Sequence, residues 1–172
     1  MASHIPFLVA RDGERLCLQG HLARPNPQGI ALQSGGEVLA IFPGPDAYIS
    51  PSWYAKGPSV PTWNYAAVHA YGRVSLKEDE VWLSSFLRRL VLRHEAGNRA
   101  PWRFEDLPED YLRQMLAGIV GFEIAVDRLE GKWKLSQNRP AEDRPRIIAA
   151  LEERGDAAGV AIARLMRERE AL

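Results

Sequence analysis

Residues 62–74 read TWNYAAVHAYGRV and form the longest strand that the sequence predicts. Side chains of a β-strand alternate between its two faces with a period of two. On that period one face carries Trp63, Tyr65, Ala67, His69 and Tyr71. The other face carries Thr62, Asn64, Ala66, Val68 and Ala70. The sequence therefore predicts a long strand with one strongly aromatic face.

Shorter strands are predicted before this one. Residues 4–9 are apolar and precede Asp12-Gly13, which is a strong turn signal. Residues 16–22 alternate between polar and apolar side chains. Residues 38–42, VLAIF, are apolar on both faces. A strand of that kind is covered twice, by a core and by a second layer such as another subunit.

Helices are predicted mainly in the second half of the chain. A capping box at Ser75 and Glu78 indicates the start of the first one, with acidic residues in its first turn. Between the helices, alternation at residues 122–126 and a turn signal at residues 130–131 predict a β-hairpin. The inserted helices are expected at about 76–97 and 107–117, and the two closing helices at about 142–153 and 157–170.

Several short strands with interposed helices predict an α+β fold built on a small barrel. Periodicity alone is equally consistent with an open sheet. We expect residues 1–140 to form the barrel domain, including the two inserted helices. Residues 141–172 are expected to form a helical hairpin packed on the barrel.

Composition and charge exclude several classes of protein. The chain has 172 residues, of which 46% are hydrophobic and 26% charged, an ordinary globular composition. Its 22 basic and 22 acidic residues give zero net charge, which argues against direct DNA binding. The sequence has no run of 18 apolar residues and no charged-then-apolar leader, so no membrane contact is predicted and a cytoplasmic location is expected.

Familiar catalytic and metal-binding signatures are missing. There is no GxGxxG after a strand, no GxxxxGK[ST] and no GxSxG, and none of the four histidines has HExxH spacing. Cys17 and His21 share a strand face, but two ligands are too few for a metal site. No metal and no catalytic residue is predicted, and enzymatic activity is left open.

Residues 48–71, the aromatic segment, hold six of the fifteen aromatic residues of the chain. Stacking rings beside polar groups that fix orientation suit a planar heteroaromatic ligand. The same composition also fits an aromatic core or a dimer interface. The candidate ligand-binding residues in this segment are Tyr48, Ser50, Trp53, Trp63, Asn64, Tyr65 and His69.

A second candidate is the basic turn, residues 20–27, which reads GHLARPNP and follows a predicted strand. Arg24 can bind a phosphate through two parallel hydrogen bonds, and His21 and Asn26 can donate beside it. An arginine in a solvated turn is equally typical of a surface without a ligand. The closing helix pair is a weaker candidate for DNA, because residues 139–170 carry seven arginines and seven acidic residues.

Six segments together resemble one known family. They are HIPFL at 4–8, GHLAR at 20–24, YISPSWY at 48–54, VPTWNY at 60–65, IVGFEI at 119–124 and EGKWKLSQNRP at 130–140. In this order they are similar to the PaiB-type FMN-binding negative transcriptional regulators. The resemblance implies a split β-barrel like that of flavin reductases and pyridoxamine-phosphate oxidases. It also implies a homodimer that holds FMN in the cleft between its subunits.

On this resemblance the basic turn, with His21, Arg24 and Asn26, is expected near the FMN phosphate, and the aromatic segment beside the flavin ring. The family also implies a role in the control of gene expression. A flavin-dependent oxidoreductase acting on a small molecule and a flavin-free interaction module are the alternatives. Members of the family carry a helix and an opening strand before the HIPF segment, whereas this sequence starts at Met1-Ala2-Ser3-His4 as a short form, from a misplaced start or by truncation. Without that strand, one barrel edge is expected to be unpaired.

Overall fold

The computed structural model describes residues 2–170. Within that range the chain forms five β-strands and five α-helices, with single-turn 3-10 helices at Pro51–Trp53 and Phe104–Asp106. The elements in chain order are β1 (Leu8–Asp12), β2 (Arg15–Ala23), α1 (Pro27–Leu32), β3 (Glu37–Ile49), β4 (Thr62–Lys77), α2 (Glu80–Glu95), α3 (Glu109–Ala117), β5 (Ile119–Lys134), α4 (Asp143–Arg154) and α5 (Ala157–Glu170).

The strands join one sheet in the order β1-β2-β5-β4-β3. Strand β2 pairs antiparallel with β1, where Gln19 lies opposite Leu8, and with β5, where His21 lies opposite Gly121. The fold is α+β and is that of a split β-barrel with flanking helices, so the predicted fold class is confirmed.

The chain divides into two compact units. The first unit comprises residues 2–39 and Tyr71–Arg128, and the second comprises Ala40–Ala70 and residues 129–170. Strands β3, β4 and β5 each contribute residues to both units. The predicted division at residue 140, between a barrel domain and a helical hairpin, stays a prediction.

In the first unit, α2 packs on the sheet face that carries Gln19 and His21. Phe86 of α2 is fully buried and forms a core with Leu8 and Leu90. This packing needs a glycine at position 121. A Cβ there would lie 2.9 Å from Leu83 Cδ2 and would overlap the Trp82 ring. The helix can therefore approach β5 closely only because Gly121 has no side chain.

The other face of the same sheet is covered by the segment before β1. The rings of Phe7 and Phe122 meet edge to face, with centroids 5.9 Å apart. A Cβ at Gly20 would lie 2.7 Å from Phe122 Cζ and 3.3 Å from Ile5 Cγ2, so these two side chains fill the space over that glycine. Residues 4–7 are thus extended chain packed on the sheet, and the strand predicted at 4–9 begins at Leu8 instead.

In the second unit, α4 and α5 pack on the end of β3 and the residues after it. Gly155 separates the two helices with a left-handed φ of 71° and donates its N–H to the Leu151 carbonyl. The two predicted closing helices are confirmed to within one residue. The buried core comprises Ala47, Ile49, Tyr54, Leu135, Ile147, Ile148, Leu151, Ile162, Ala163 and Met166.

The helix predicted at 76–97 begins later than expected. Strand β4 continues to Lys77, and Asp79 caps α2 by accepting a hydrogen bond from the Trp82 N–H at 2.8 Å. The capping box at Ser75 and Glu78 is therefore wrong. A carboxylate at Asp79 satisfies the free N–H groups of the first turn as well as a serine would, so the pattern had two candidate starts.

One further prediction of secondary structure is wrong, and one helix was not predicted. The hairpin at 122–135 is one continuous strand, because β5 runs through residues 130–131 without turning. The helix α1 was not predicted, although Asn26 caps it and Pro27 opens it, which is a recognised start signal. In residues 38–42, Leu39 and Ile41 are 44% and 57% exposed while Ala40 is buried. That a second layer, such as another subunit, covers those two residues stays a prediction.

Replacing Gly121 by alanine is expected to lower the free energy of unfolding by about 1–3 kcal/mol, because the added methyl group overlaps Trp82 and Leu83. Urea unfolding followed by circular dichroism measures the loss. Gly131→Ala in the same strand is the matched control, since a Cβ there meets nothing within 4 Å. Equal losses in both variants would show that the packing of α2 does not depend on Gly121.

Candidate functional site

Arg24 of the basic turn is held by two partners within the first unit. Its Nε donates to the Ala117 carbonyl at 2.9 Å, and its Nη1 pairs with Glu78 Oε1 at 2.8 Å. Its backbone N–H also donates to the Gly118 carbonyl. The side chain is still 45% exposed. Arg24 thus ties the end of β2 to the residues before β5, and nearly half of its side chain stays exposed to solvent.

Asn26 has a local structural role. Its Oδ1 accepts the Gln28 N–H at 2.9 Å and caps α1, while its Nδ2 donates to Ser3 Oγ at 3.2 Å. Capping asparagines contribute roughly 1 kcal/mol to helix stability. Both polar ends of the predicted ligand residue are therefore occupied by the chain itself.

His21 lies at the inner end of the turn and is half-buried. Its ring meets the Phe86 ring edge to face at 5.7 Å, and its Nδ1 is buried without a hydrogen-bond partner. Burial lowers the pKa of His21 below the ordinary value of 6.5. The neutral ring is thus the form that fits beside Phe86.

A polar network that sequence reasoning missed lies on the same sheet face. The buried Gln19 accepts from Arg89 Nη2 and donates to Glu123 Oε2, both at 2.7 Å. Lys77 Nζ lies 4.0 Å from Glu123 Oε1. Cys17, two residues before Gln19, is buried, and that burial together with Glu123 raises the pKa of its thiol. The thiol is therefore protonated at neutral pH and is a poor nucleophile.

The aromatic segment presents an exposed pair of rings in the second unit. The rings of Tyr48 and Trp63 meet at a centroid distance of 6.3 Å and an angle of 66°. Trp63 Nε1 donates to Asp46 Oδ1 at 3.1 Å. Tyr48 and Trp63 are 43% and 49% exposed, so both rings offer free surface. Asp46 was not predicted as a site residue. It directly follows Pro43-Gly44-Pro45, and nothing in that sequence indicates its hydrogen bond to Trp63.

Ser50 and Trp53 lie at the short 3-10 helix. Ser50 Oγ accepts the Ser52 N–H at 3.3 Å and caps this turn, and its hydroxyl lies 2.8 Å from that of Ser52. Trp53 is partly buried against the core of the second unit, and its carbonyl accepts from Arg146 Nε at 3.0 Å. The serine hydroxyls are available from solvent, whereas Trp53 serves mainly as packing.

Asn64 is fully buried. Its side chain lies at hydrogen-bond distance from Ser136 Oγ, 3.0 Å from Nδ2 and 3.2 Å from Oδ1, and its Nδ2 lies 3.8 Å from Met166 Sδ. Ser136 has a φ of 61°, which a serine adopts only under constraint. The pair joins β4 to the turn after β5. Ser136 was missed, although it belongs to the LSQNRP motif that carried the resemblance.

The remaining predicted residues, Tyr65 and His69, are half-buried on the same face of β4 as Trp63. Of the ten predicted ligand residues, three lie in the first unit and seven in the second. In the structure Tyr48 contacts Trp63, whereas Asn64 is hydrogen-bonded to Ser136. Among residues 2–170 no group of three or more His, Cys, Asp or Glu side chains could hold a metal ion.

Comparison with known proteins gives the family. The family model described as "Putative FMN-binding domain" matches residues 1–128. The chain is also 36% identical over 169 residues to the protease synthase and sporulation protein PAI 2 of Bacillus subtilis, covering 98% of this chain and 81% of that protein. The chain belongs to the PaiB-type FMN-binding family. The predicted family is thereby confirmed.

Two further likenesses were found, one in sequence and one in fold. The chain is 35% identical over 206 residues to the uncharacterized protein AN0679 of Emericella nidulans, covering 98% of this chain and 81% of that protein. The flavocytochrome Anf3 from Azotobacter vinelandii shares the fold, with a TM-score of 0.53, 17% identity and 75% of this chain covered. The chain spans 54% of that flavocytochrome's length. In the described part of this PaiB-type chain, no helix is long and apolar enough to cross a membrane.

The lowered pKa of His21 makes the stability of this PaiB-type chain depend on pH. The unfolded chain takes up a proton near pH 6.5, whereas the folded chain does so only at lower pH. Between those values the unfolded state holds more protons, so the free energy of unfolding falls as pH decreases. We expect the urea midpoint to decrease from pH 7.5 to 5.5.

The matched controls for this pH effect are His21→Gln and His94→Gln. His21→Gln removes the titrating group and is expected to flatten the decrease, whereas His94 is exposed on α2 and its replacement is expected to leave the slope unchanged. If the wild-type and His21→Gln profiles have the same slope, the buried imidazole is not the source.

Proposed function

We propose that this protein is an FMN-binding homodimer that acts in the control of gene expression. The observation that carries the proposal is the match of an FMN-binding family model to residues 1–128. The likeness to PAI 2, named for protease synthesis and sporulation, supports the regulatory part. Bound FMN supplies reversible hydride and single-electron chemistry, and the protein supplies binding and orientation.

The second unit has surface that suits a flavin ring. Tyr48 and Trp63 keep large exposed aromatic faces, and Asp46 fixes the Trp63 indole through its N–H. A planar ring stacks on such faces, and hydroxyls such as those of Ser50 and Ser52 can bind its polar edge. The residues present therefore fit a flavin, with Trp63, Tyr48 and Ser50 as the contacts that we propose.

Arg24 is the residue that we propose for the phosphate. Its guanidinium is already oriented by Glu78 and the Ala117 carbonyl, and its exposed part can donate to an anion. A preoriented arginine loses less side-chain entropy on binding than a free one. We propose that Asn26 and His21 lie near the phosphate and hold the shape of the turn. Asn26 does so through its hydrogen bond to the Gln28 N–H, which caps α1.

The homodimer is supported by exposed apolar strand residues in the second unit. Single exposed apolar side chains are ordinary, but here they recur along three strands. A second copy of the chain would cover those on one face of the sheet and would supply the second layer expected for residues 38–42. Six large apolar side chains on these strands are 40–57% exposed, namely Ile41, Tyr48, Trp63, Val68, Leu129 and Trp133.

Regulation is proposed to be indirect rather than through a DNA-binding helix. Arg164 pairs with Glu168, Arg167 pairs with Glu152, and Arg169 lies over the Trp133 ring. These contacts neutralise or cover the cations that a recognition helix would present to phosphates. The flavin state or a protein partner would then carry the signal.

We expect the purified protein, incubated with excess FMN and desalted, to retain FMN and to show the visible absorption of bound flavin. The reason is that the exposed Tyr48 and Trp63 rings of the second unit offer faces on which a flavin ring can stack. Trp63→Ala is expected to weaken binding of both FMN and riboflavin by about tenfold. A protein that retains no flavin and gains no thermal stability from added FMN would contradict the proposal.

The phosphate contact is tested by Arg24→Ala. FMN binding is expected to weaken by about 1.5–3 kcal/mol, and riboflavin binding by much less, because riboflavin lacks the phosphate dianion. Glu78→Gln keeps the arginine and removes its partner charge, so FMN binding should be preserved or tightened. Arg113→Ala, an exposed arginine of α3, is the control. Equal losses for both ligands would mean that Arg24 is purely structural.

Direct DNA binding is expected to be weak and non-specific, no tighter than about micromolar at physiological salt. A gel-shift titration at two salt concentrations, comparing a promoter fragment with scrambled DNA, measures it. The paired arginines of α5 are the reason for this expectation. A nanomolar, sequence-selective complex with a steep salt dependence would establish a direct repressor instead.

A further inference from the structure

The first unit contains a cleft that the flavin proposal does not use. It lies beside the last turns of α2 and has a volume of about 410 Å³. That volume falls in the range of small-molecule sites. The cleft is lined by Arg88, Val91, Leu92, Glu95, Ala96, Pro101, Trp102, Arg103, Phe104 and Glu105.

Most of the lining is apolar, and part of it is aromatic. Phe104 is buried, whereas Trp102 and Leu92 are 47% and 65% exposed. A tryptophan with half its surface free can stack on a planar molecule and remove its own apolar area from water. The wall therefore favours a flat, apolar ring over a branched or strongly hydrated group.

The cleft is held in shape by two hydrogen-bonded carboxylates. Glu95 Oε2 accepts from Asn98 Nδ2 at 2.6 Å and from the Trp102 N–H at 2.8 Å, which fixes the loop to α2. These bonds lower the pKa of Glu95. A preformed cleft binds a ligand without first having to order its own loop.

The second carboxylate is Glu105, which accepts from Arg88 Nε at 2.7 Å. This hydrogen bond lowers the pKa of Glu105, so the pair stays ionised. The Arg88 guanidinium also lies over the Phe104 ring, 5.3 Å from its centroid. Arg88, Glu105 and Phe104 therefore satisfy one another and leave little charge for a ligand on that side.

Arg103 is the lining cation with the weakest partner. Its Nε lies 3.9 Å from Asp106 Oδ1, and the two side chains are 67% and 69% exposed. An exposed pair at that distance contributes little, so an incoming anion can replace it at small cost. The cleft lining carries two arginines and two glutamates, so its formal charge is zero and selectivity for an anion rests on Arg103.

We propose that this cleft binds a small planar aromatic anion, with its ring against Trp102 and its charge on Arg103. A carboxylate or phosphate substituent would accept two parallel hydrogen bonds from the guanidinium. The proposal concerns a site of its own and does not rest on flavin binding. The apolar Trp102 wall and the Arg103 charge together specify an aromatic anion as the ligand, because an apolar wall alone would bind a neutral ring equally well.

The test compares 1-naphthoate with its neutral analogue 1-naphthalenemethanol, using ligand-observed NMR titration of the full chain. We expect 1-naphthoate to bind with a Kd of about a millimolar or tighter and at least fivefold more tightly than the alcohol. Arg103→Gln is expected to weaken only the anion, by about five- to tenfold. Trp102→Ala is expected to weaken both ligands by about tenfold.

Two control variants match these changes. Arg113→Gln alters an arginine of the first unit that is 60% exposed, and Tyr111→Ala alters an aromatic residue of the same unit that is 50% exposed, close to the 47% of Trp102. Neither control is expected to change binding of either ligand, and saturating FMN is expected not to displace 1-naphthoate. Circular dichroism confirms that each variant folds.

Several results would overturn the proposal. They are an absence of 1-naphthoate binding at several millimolar, equal affinity for the alcohol, and displacement by FMN. A change of oligomeric state in Trp102→Ala, with no ligand bound to the wild-type protein, would show instead that a second copy of the chain occupies the cleft.

Discussion

The first unit depends on a steric constraint at two glycines. At Gly121 the α2 side chains Trp82 and Leu83 occupy the space that a Cβ would take, and at Gly72 the Ala125 carbonyl does the same, with its carbon 2.9 Å from where a Cβ would lie. Strand β5 therefore passes unusually close to α2 and to β4. Interiors are packed densely enough that neither neighbour can move away without disturbing others. The close approach of α2 to β5 depends on Gly121, and that of β4 to β5 depends on Gly72.

Close packing of α2 also explains how polar groups are used on that sheet face. Arg89 reaches from the helix to Gln19, and Gln19 continues to Glu123, so a buried amide joins two charged groups. An unpaired buried amide would cost about 1–3 kcal/mol, which this chain of bonds avoids. His21 lies on the same face with an unpaired Nδ1, and its neutral form is maintained by burial. Helix packing thus fixes both the network and the protonation of the histidine.

The sequence predicted some parts of this fold well and others poorly, for identifiable reasons. The closing helices were predicted to within one residue because Gly155 adopts the left-handed conformation that ends α4. A glycine at that position is a clear sequence signal for the end of a helix. The hairpin at residues 130–131 was wrong because glycine there occupies an ordinary strand. Turn propensity is local, and pairing of β5 with its neighbours overrides it. The start of α2 was missed by four residues because Ser75 and Asp79 are both good caps and only tertiary pairing of β4 distinguishes them.

Among the predicted ligand residues, the sequence could give the residue types but not their hydrogen-bond partners. Asn64 and Trp63 are adjacent on β4, yet one is fully buried against Ser136 and the other is half exposed beside Tyr48. Strand alternation predicts that they face opposite ways, but it does not say which face is covered by α4 and α5. The motifs of a family therefore combine two kinds of residue. Asn64 and Ser136 fix the turn after β5 to β4, and the neighbouring Trp63, which is half exposed, is presented on that strand.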